Sequence, residues 1–265
     1  MLPIENDLVD RAMESGDPAI AEEAIREVDL RLKSASEAKD KAGLLLSKAV
    51  LNGFLHRHSD AREQLTLALE QAPTDPDVRF SFDVLDASLF DQEGRPDQAY
   101  ARLTTVLSRH SERLSRPDVR SIYEDIQQRR GFDLVRIGKF QEAVPILEEV
   151  LLFRLTQEIR SAALVNLGFS YAKLENYEKA RDYFEQAAAI GISKEWEGQS
   201  HYYLGVSYAQ LHLLRSAKRE FQLCEQHSVA YNVSLPNIYG WLSWICKGLG
   251  EKAESERYAR LARPS

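Results

Sequence analysis

Two small groups of residues in this sequence have side chains and spacings that could perform chemistry. His56, His58 and Asp60 alternate with other residues over one short stretch, and imidazole and carboxylate groups can hold a divalent metal ion. Cys224 and Cys246 are the two cysteines of the chain and could form a disulfide or a redox pair. Whether either group acts in this way depends on the elements that position it.

The structural interpretation of both groups is the simpler one. The segment 56–60 falls in a polar turn before a predicted helix, and Cys224 falls at a position that takes a small apolar side chain. A third group, Tyr239 with Trp241 and Trp244, is more simply explained by packing at the last helical interface than by binding. The sequence contains no Gly-x-Gly-x-x-Gly, phosphate-loop, His-Glu-x-x-His or Gly-x-Ser-x-Gly motif. It therefore predicts no enzyme, no metal site and no cofactor.

The composition is that of an ordinary globular protein. Of the 265 residues, 44% are hydrophobic and 28% are charged. No stretch approaches the ~20 consecutive apolar residues that span a bilayer. The first ten residues hold three acids and no base, unlike a targeting peptide. Two cysteines suit a reducing compartment, so the sequence predicts a cytoplasmic protein without a membrane segment.

The charge is unevenly distributed along the chain. The net charge is −7, but residues 1–100 hold 21 acids and 11 bases, whereas residues 101–265 hold 20 acids and 23 bases. The bases are not clustered into a run, which argues against nucleic acid as a partner. The basic excess of the second part could attract an acidic peptide, although a solvated surface without such a role is the simpler explanation.

Residues 161–192 have the pattern of two helices joined by a polar turn. The first helix places four residues on one face at i, i+3, i+4 and i+7: Leu164, Leu167, Gly168 and Tyr171. The second helix does the same with Ala180, Phe184 and Ala187. Gly168 would let the second helix approach closely, with Ala180 opposite it and large side chains around the contact. One such hairpin cannot bury both its faces, so it must stack on copies of itself.

Copies of the pattern extend along the chain. A small residue recurs in each predicted second helix: Ala21, Ala61, Ala99, Ala143, Ala180, Ala217 and Ala253. The spacings are 40, 38, 44, 37, 37 and 36 residues. Glycine, which readily ends a helix with positive φ, stands five residues earlier in four units: Gly16, Gly94, Gly138 and Gly248. Pro18 and Pro96 occupy expected helix starts. The pattern predicts seven helical hairpins.

The segment 161–192 resembles the tetratricopeptide repeat, in which Leu-Gly and Tyr precede the turn and Ala, Phe and Ala follow it. The resemblance implies an all-α, helix-turn-helix repeat solenoid of about seven units, wound as a right-handed superhelix. The units here are longer than the family's usual 34 or so residues. Longer repeats of this kind are similar to those of bacterial scaffold and sensor domains. The small position of the first helix is weak in the first unit, at Val9, and is taken by Trp241 in the last.

The repeats also predict a division of the chain. We expect three acidic units in residues 1–107 and four units in residues 124–265, with the polar last helix as a cap. The widest spacing includes residues 108–123, with Pro117, which we interpret as a hinge or an extended segment between repeats.

The resemblance implies a protein-interaction scaffold that holds a peptide or partner protein in its concave groove. The family lines this groove with first-helix positions 2, 5, 6, 9, 12 and 13, counting Ser161 as position 1. The residues predicted there in the fourth to sixth units are Gln128, Arg129, Phe132, Arg136, Asn166, Phe169, Lys173, Gln199, Tyr202, Tyr203 and Gln210. Of the family's carboxylate clamp only Asn166 is matched, which disfavours a heat-shock chaperone partner.

Two alternatives stay open. Phe132, Phe169 and Tyr202 are equally well explained by packing between neighbouring first helices. The whole chain could instead resemble a bacterial peptide-responsive sensor domain. Because no helix-turn-helix motif for DNA binding is recognisable, such a sensor would act by sequestering a partner protein. Nothing in the sequence indicates a homo-oligomer.

Overall fold

The computed structural model describes residues 6–227 and 234–263, and every regular element in these two ranges is helical. The α-helices are α1 (Asn6–Ser15), α2 (Pro18–Ser34), α3 (Ala38–Phe54), α4 (His58–Gln71), α5 (Pro76–Gln92), α6 (Pro96–Arg109), α7 (Ser111–Leu114), α8 (Arg120–Arg136), α9 (Phe140–Val150), α10 (Gln157–Lys173), α11 (Tyr177–Ile190), α12 (Lys194–Gln210), α13 (Leu214–Gln226), α14 (Leu235–Gly248) and α15 (Lys252–Leu261). A 3-10 turn covers Pro117–Val119. The predicted all-α repeat fold is confirmed. No helix in the described part of the chain combines the length and apolarity needed to cross a bilayer.

The helices form two compact units, residues 1–137 and 138–265. In the first unit, α1 packs on α2, α3 on α4 and α5 on α6, and α8 packs on α6. In the second, α10 packs on α11, α12 on α13 and α14 on α15, and α9 packs on α10. The segment 108–123 lies inside the first unit, where Leu114 and Val119 are buried. The division between the units falls at the turn of the fourth predicted repeat.

Each repeat turn contains one residue with positive φ. These residues have φ between +56° and +79°: Gly16, His56, Gly94, Gly138, Glu175, His212 and Gly250. Five residues after each of them comes the small residue of the second helix: Ala21, Ala61, Ala99, Ala143, Ala180, Ala217 and Ser255. The six alanines are fully buried. A small side chain is required at this position of each second helix because the position is tightly packed, which explains why small residues recur five residues after each turn.

The predicted register of the last repeat is wrong by two residues. Gly250, not Gly248, takes the positive φ, and Ala253 is exposed. Gly248 ends α14 and makes room for Leu214, whose Cδ1 would lie 2.6 Å from an added Cβ. The small position of α14 is therefore Ser243 rather than Trp241, because it lies seven residues before Gly250, as Gly168 lies seven before Glu175.

Close packing within the hairpins involves glycine and phenylalanine. A Cβ at Gly168 would lie 3.0 Å from ring carbons of Phe184, and one at Gly205 would lie 3.1 Å from the ring of Phe221. Both rings are fully buried. The side chain nearest to an added Cβ at Gly168 is therefore Phe184, one of the large residues predicted to surround this close contact.

Polar caps and prolines define several helix starts. The Asp75 side chain accepts hydrogen bonds from the backbone N–H groups of Asp77 and Val78 at the start of α5. Thr156 accepts one from Ile159 at the start of α10. These side chains satisfy amide groups that have no partner within the helix. Pro18 and Pro96 occupy the first positions of α2 and α6, as predicted.

Candidate functional site

The seven turns give a common numbering for the first helices, in which the positive-φ residue is position 15. Positions 6, 9 and 13 define what we call the first-helix face. In the first unit they are Asp7, Asp10, Glu14, Ser47, Val50, Phe54, Leu85, Ser88, Gln92, Arg129, Phe132 and Arg136. In the second unit they are Asn166, Phe169, Lys173, Tyr203, Val206, Gln210, Trp241, Trp244 and Gly248. The sequence pattern favours a packing role for Trp241 and Trp244 and a turn at Gly248, whereas the turn at Gly250 places both tryptophans on this face.

In the first unit, part of this face surrounds a pocket of about 410 Å³. Its lining residues are Met13, Ala49, Val50, Gly53, Phe54, His56, Leu65, Leu85, Ser88, Leu89, Gln92 and Arg129. Most of these side chains are apolar, and the polar groups are few. A pocket of this size and composition is suited to an apolar group that carries a hydrogen-bonding function.

The two predicted arginines of the first unit already have acidic partners. The Arg129 guanidinium donates to Ser88 Oγ at 2.9 Å and pairs with Asp125 at 3.1 Å. Arg136 pairs with Asp91 and lies 3.3 Å from Asp133. Gln128 and Phe132 are half-buried. Because acids of the same unit balance both positive charges, this region offers little net attraction to an acidic peptide.

Asp133 is an unusual carboxyl group in this cluster. Its side chain is 2% exposed, and Oδ2 has no hydrogen-bond partner in the described chain. Burial, reinforced by the charge of Asp91, raises the pKa of Asp133 to about 7, against the opposing effects of Arg136 and Arg129. The group therefore titrates near neutral pH.

In the second unit, the fold brings four predicted residues together. The Phe169 ring packs edge-to-face against Phe140 and Tyr203, with ring centroids 5.5 and 4.8 Å apart. The Lys173 Nζ lies 5.2 Å from the ring centroid of Phe169 and 5.1 Å from that of Tyr203. Tyr202 adds an edge-to-face contact with Tyr203 at 5.2 Å. An exposed ammonium over two rings is stabilised by cation–π attraction of about 0.5–1 kcal/mol.

Two other predicted residues of this unit lie outside that contact. Asn166 is buried, and its Nδ2 donates to the backbone oxygen of Ala162 at 2.8 Å. That donor is thus engaged within its own helix. Gln199 is half-buried near the start of α12, one turn before Tyr202.

Gln210 and Tyr202 belong to an open groove of about 800 Å³ between α12 and α14. The other described residues that line it are Pro236, Asn237, Gly240, Trp241, Trp244 and Ala262. The Trp241 ring stacks on the buried Phe221 and is nearly perpendicular to Trp244, at 89°. Trp244 is 47% exposed. The predicted packing role is therefore correct for Trp241 and wrong for Trp244.

The groups with metal-binding or redox potential have structural partners. Among the described residues, the ligand atoms close enough together to share a metal ion belong to Cys246, Glu251 and Glu254. Lys218 Nζ lies between the two carboxylates, at 2.7 and 2.5 Å, and supplies the balancing charge. Burial raises the pKa of the Cys224 and Cys246 thiols to about 12, which makes both weak nucleophiles.

Comparison with known proteins agrees with this architecture. Residues 161–191 match the tetratricopeptide repeat family. No curated protein matches the chain by sequence. The fold defines an all-α protein built from stacked two-helix repeats. Residues 161–191 are a tetratricopeptide repeat, and the chain has the fold of tetratricopeptide repeat proteins.

Several solved structures share this fold at 15% sequence identity. The apo form of RapI has a TM-score of 0.67, with 96% of this chain and 73% of RapI aligned. The apo quorum sensor NprR from B. thuringiensis has a TM-score of 0.60, with 96% and 84% aligned. A chain of the APC/C hetero-tetramer Cut9-Hcn1 has a TM-score of 0.57, with 96% of this chain aligned, and this chain spans 44% of its length. At this identity the likeness concerns the fold alone.

Proposed function

We propose that the protein is a non-catalytic interaction module that binds an extended peptide, or an extended segment of a partner protein, on the first-helix face of its second unit. The observation that carries the proposal is a run of aromatic rings along that face. Phe169, Tyr203, Trp241 and Trp244 lie on the face, and Tyr202 lies beside it, in contact with Tyr203 and in the same groove as the two tryptophans. Large rings supply contact area at a small cost in side-chain entropy, and they dominate binding energy at many protein interfaces.

Polar groups beside the rings suit the binding of an extended backbone. Gln210 and Asn237 are exposed and can donate and accept hydrogen bonds. Lys173 is exposed at the other end of the aromatic run, where it can pair with a carboxylate or a backbone oxygen of the partner. The free, buried thiols of Cys224 and Cys246 suit a reducing compartment, and we place this activity in the cytoplasm.

A charge reversal tests the proposal without disturbing the core. The Lys173→Glu variant should lose partners that the wild-type protein captures from an extract of its own cells, measured by quantitative mass spectrometry. Lys194→Glu is the matched control, because Lys194 is an exposed lysine of the same unit outside the face. Both variants should melt like the wild type. If Lys173→Glu retains every partner that Lys194→Glu retains, the first-helix face of this unit is not the contact surface.

The pocket of the first unit favours a second candidate function, a ligand-responsive regulatory domain. Its volume of about 410 Å³ lies within the range of small-molecule pockets, and it combines apolar walls with Ser88, Gln92 and Arg129. Proteins of the same fold include a quorum sensor. In this alternative, a short peptide or another small ligand in the pocket would control how the protein holds its partner.

The two candidate functions differ in what accompanies the purified protein. A bound small ligand should be released from natively purified wild-type protein by denaturation and detected by mass spectrometry. It should be absent from a Ser88→Leu variant, in which the larger side chain fills part of the pocket. A protein that carries no such ligand, and whose melting temperature does not respond to the low-molecular-weight fraction of the extract, would contradict the sensor function.

A further inference from the structure

We propose that the groove between α12 and α14 binds a proline-rich segment of a partner in the polyproline II conformation. The proposal rests on the proposed interaction function and specifies its ligand. The described residues that line the groove are Tyr202, Gln210, Pro236, Asn237, Gly240, Trp241, Trp244 and Ala262.

The charge of the groove selects an uncharged ligand. Every described residue that lines it is uncharged, although 28% of the chain is charged. A ligand that brought a carboxylate or an ammonium group into the groove would lose hydration without gaining an opposite charge. Charge complementarity therefore favours a neutral segment with apolar side chains.

The aromatic geometry favours rigid rings over flexible aliphatic chains. Trp241 and Trp244 are nearly perpendicular, with ring centroids 6.1 Å apart, so a face and an edge meet at a corner of the groove. Because Trp241 is held by its stacking on Phe221, the corner is preformed. Aromatic-lined grooves bind proline-rich segments, whose backbone is already extended and loses little entropy on binding.

Hydrogen-bonding groups complete the match. Gln210 and Asn237 are exposed amides, and each can donate two hydrogen bonds to backbone carbonyls of a ligand. A polyproline II segment has no internal hydrogen bonds, so its carbonyl groups remain free to accept them. Proline also lacks an N–H group, so the ligand needs few acceptors from the groove.

Gly240 is a separate sign that the groove must stay open. It lies in the interior of α14, where glycine is a poor helix former. Its φ is not positive, and a Cβ built on it would have no heavy atom within 4 Å. The described structure thus contains no packing or backbone reason for a glycine at this position. A side chain there would project into the groove, and a ligand that passes close to α14 explains its absence.

The tryptophans provide the readout. Two of the three tryptophans in the chain, Trp241 and Trp244, line the groove, and replacing Trp196 with Phe leaves their fluorescence as the signal. A capped decaproline peptide should shift this emission with a saturable dependence on its concentration. A capped decapeptide of alternating Gly and Ser, and a Glu-rich decapeptide, should not shift it.

Three substitutions in this Trp196→Phe background test the location, with peptide binding measured by calorimetry. Gly240→Leu should abolish decaproline binding and raise the melting temperature, because leucine favours the helix and its Cβ has no heavy atom within 4 Å. Trp244→Ala should weaken binding at least about tenfold. Leu152→Ala, which removes an 84% exposed side chain of the same unit, should bind like the parent.

Each outcome is decisive. Unchanged decaproline binding in Gly240→Leu, or no binding by the parent protein, overturns the proposal. Preferential binding of the Glu-rich peptide overturns it in favour of an acidic partner. If decaproline fails to bind but Lys173→Glu still abolishes partner capture, only the choice of ligand is wrong and the interaction function stands. If decaproline does not bind and Lys173→Glu still captures every partner, both the proline-rich ligand and the proposed interaction function are rejected.

Discussion

Ser243 and Ser255 exchange two hydrogen bonds across the last hairpin. The Ser243 hydroxyl donates to the backbone oxygen of Ser255 at 3.0 Å, and the Ser255 hydroxyl donates to that of Ser243 at 2.9 Å. The two residues are twelve positions apart, as Gly168 and Ala180 are in the repeat of residues 161–191. The last repeat therefore has serines at its two small positions, and their hydrogen bonds join α14 to α15.

This register gives the first prediction. Ser255→Leu should lower the stability by about 1–3 kcal/mol, because the larger side chain forces the helices apart and breaks the exchange. Ala253→Leu should leave it unchanged, since Ala253 is exposed. Thermal unfolding followed by circular dichroism measures both. Equal effects of the two substitutions would mean that the helices of the last hairpin pack in another register.

The contact of Gly168 with Phe184 gives the second prediction. Gly168→Leu should cost about 1–3 kcal/mol, because even a Cβ would meet the ring at 3.0 Å. Adding Phe184→Leu should recover part of the loss, since a smaller side chain leaves room across the interface. Chemical denaturation of the single and double variants measures this coupling. Strictly additive effects would show that the two residues do not share one space.

The buried carboxyl of Asp133 gives the third prediction, a pH dependence. The pKa of Asp133 is about 7 in the folded state and 3.8 for the free side chain, so the folded protein binds the proton more tightly. The stability from the neutral carboxyl is fully present below pH 4 and is lost as the pH rises to 7. Asp133→Asn should therefore gain about 2–4 kcal/mol relative to the wild type between pH 4 and pH 8.

Unfolding midpoints of the two proteins across this pH interval test that prediction. Asp125→Asn is the control, because the Asp125 side chain is 46% exposed on the same helix. A constant difference between Asp133→Asn and the wild type over the interval would mean that Asp133 ionises in the folded state as it does in the unfolded chain.

The turn at Glu175 gives the fourth prediction. Glu175 has a φ of +60°, which costs a residue with a Cβ about 1 kcal/mol. Glu175→Gly should raise the stability by about 0.5–1 kcal/mol, as in other helix ends capped by glycine. Glu178→Gly, inside the first turn of α11, should lower it by a similar amount. A lower melting temperature for Glu175→Gly would exclude relief of backbone strain.

The sequence determined the hairpins because their requirements are local. A turn needs a residue that tolerates positive φ, and a close helix contact needs a small side chain, so both recur at fixed spacing. That pattern located six of the seven small positions in the second helices, from Ala21 to Ala217. The prediction of the small position failed only in the last repeat. There serine replaces alanine, and the sequence offers two glycines, Gly248 and Gly250, as candidates for the turn residue.

The resemblance to the tetratricopeptide repeat predicted which first-helix positions line a groove, and the repeat spacing assigned residues of the fourth to sixth units to those positions. The sequence could not show what each side chain there contacts. Arg129 and Arg136 had been expected to meet a ligand, but acids from their own unit pair with both. Those acids include Asp91, 45 residues from Arg136, a separation that no local pattern reveals.

Tertiary packing decided the remaining features of the site. Trp241 and Trp244 lie on one face of α14, yet the first stacks on Phe221 and the second is 47% exposed. Periodicity assigns a side chain to a face of its helix. Whether that face is covered or open depends on how closely the neighbouring helix approaches, and this distance is set by contacts between residues far apart in the chain.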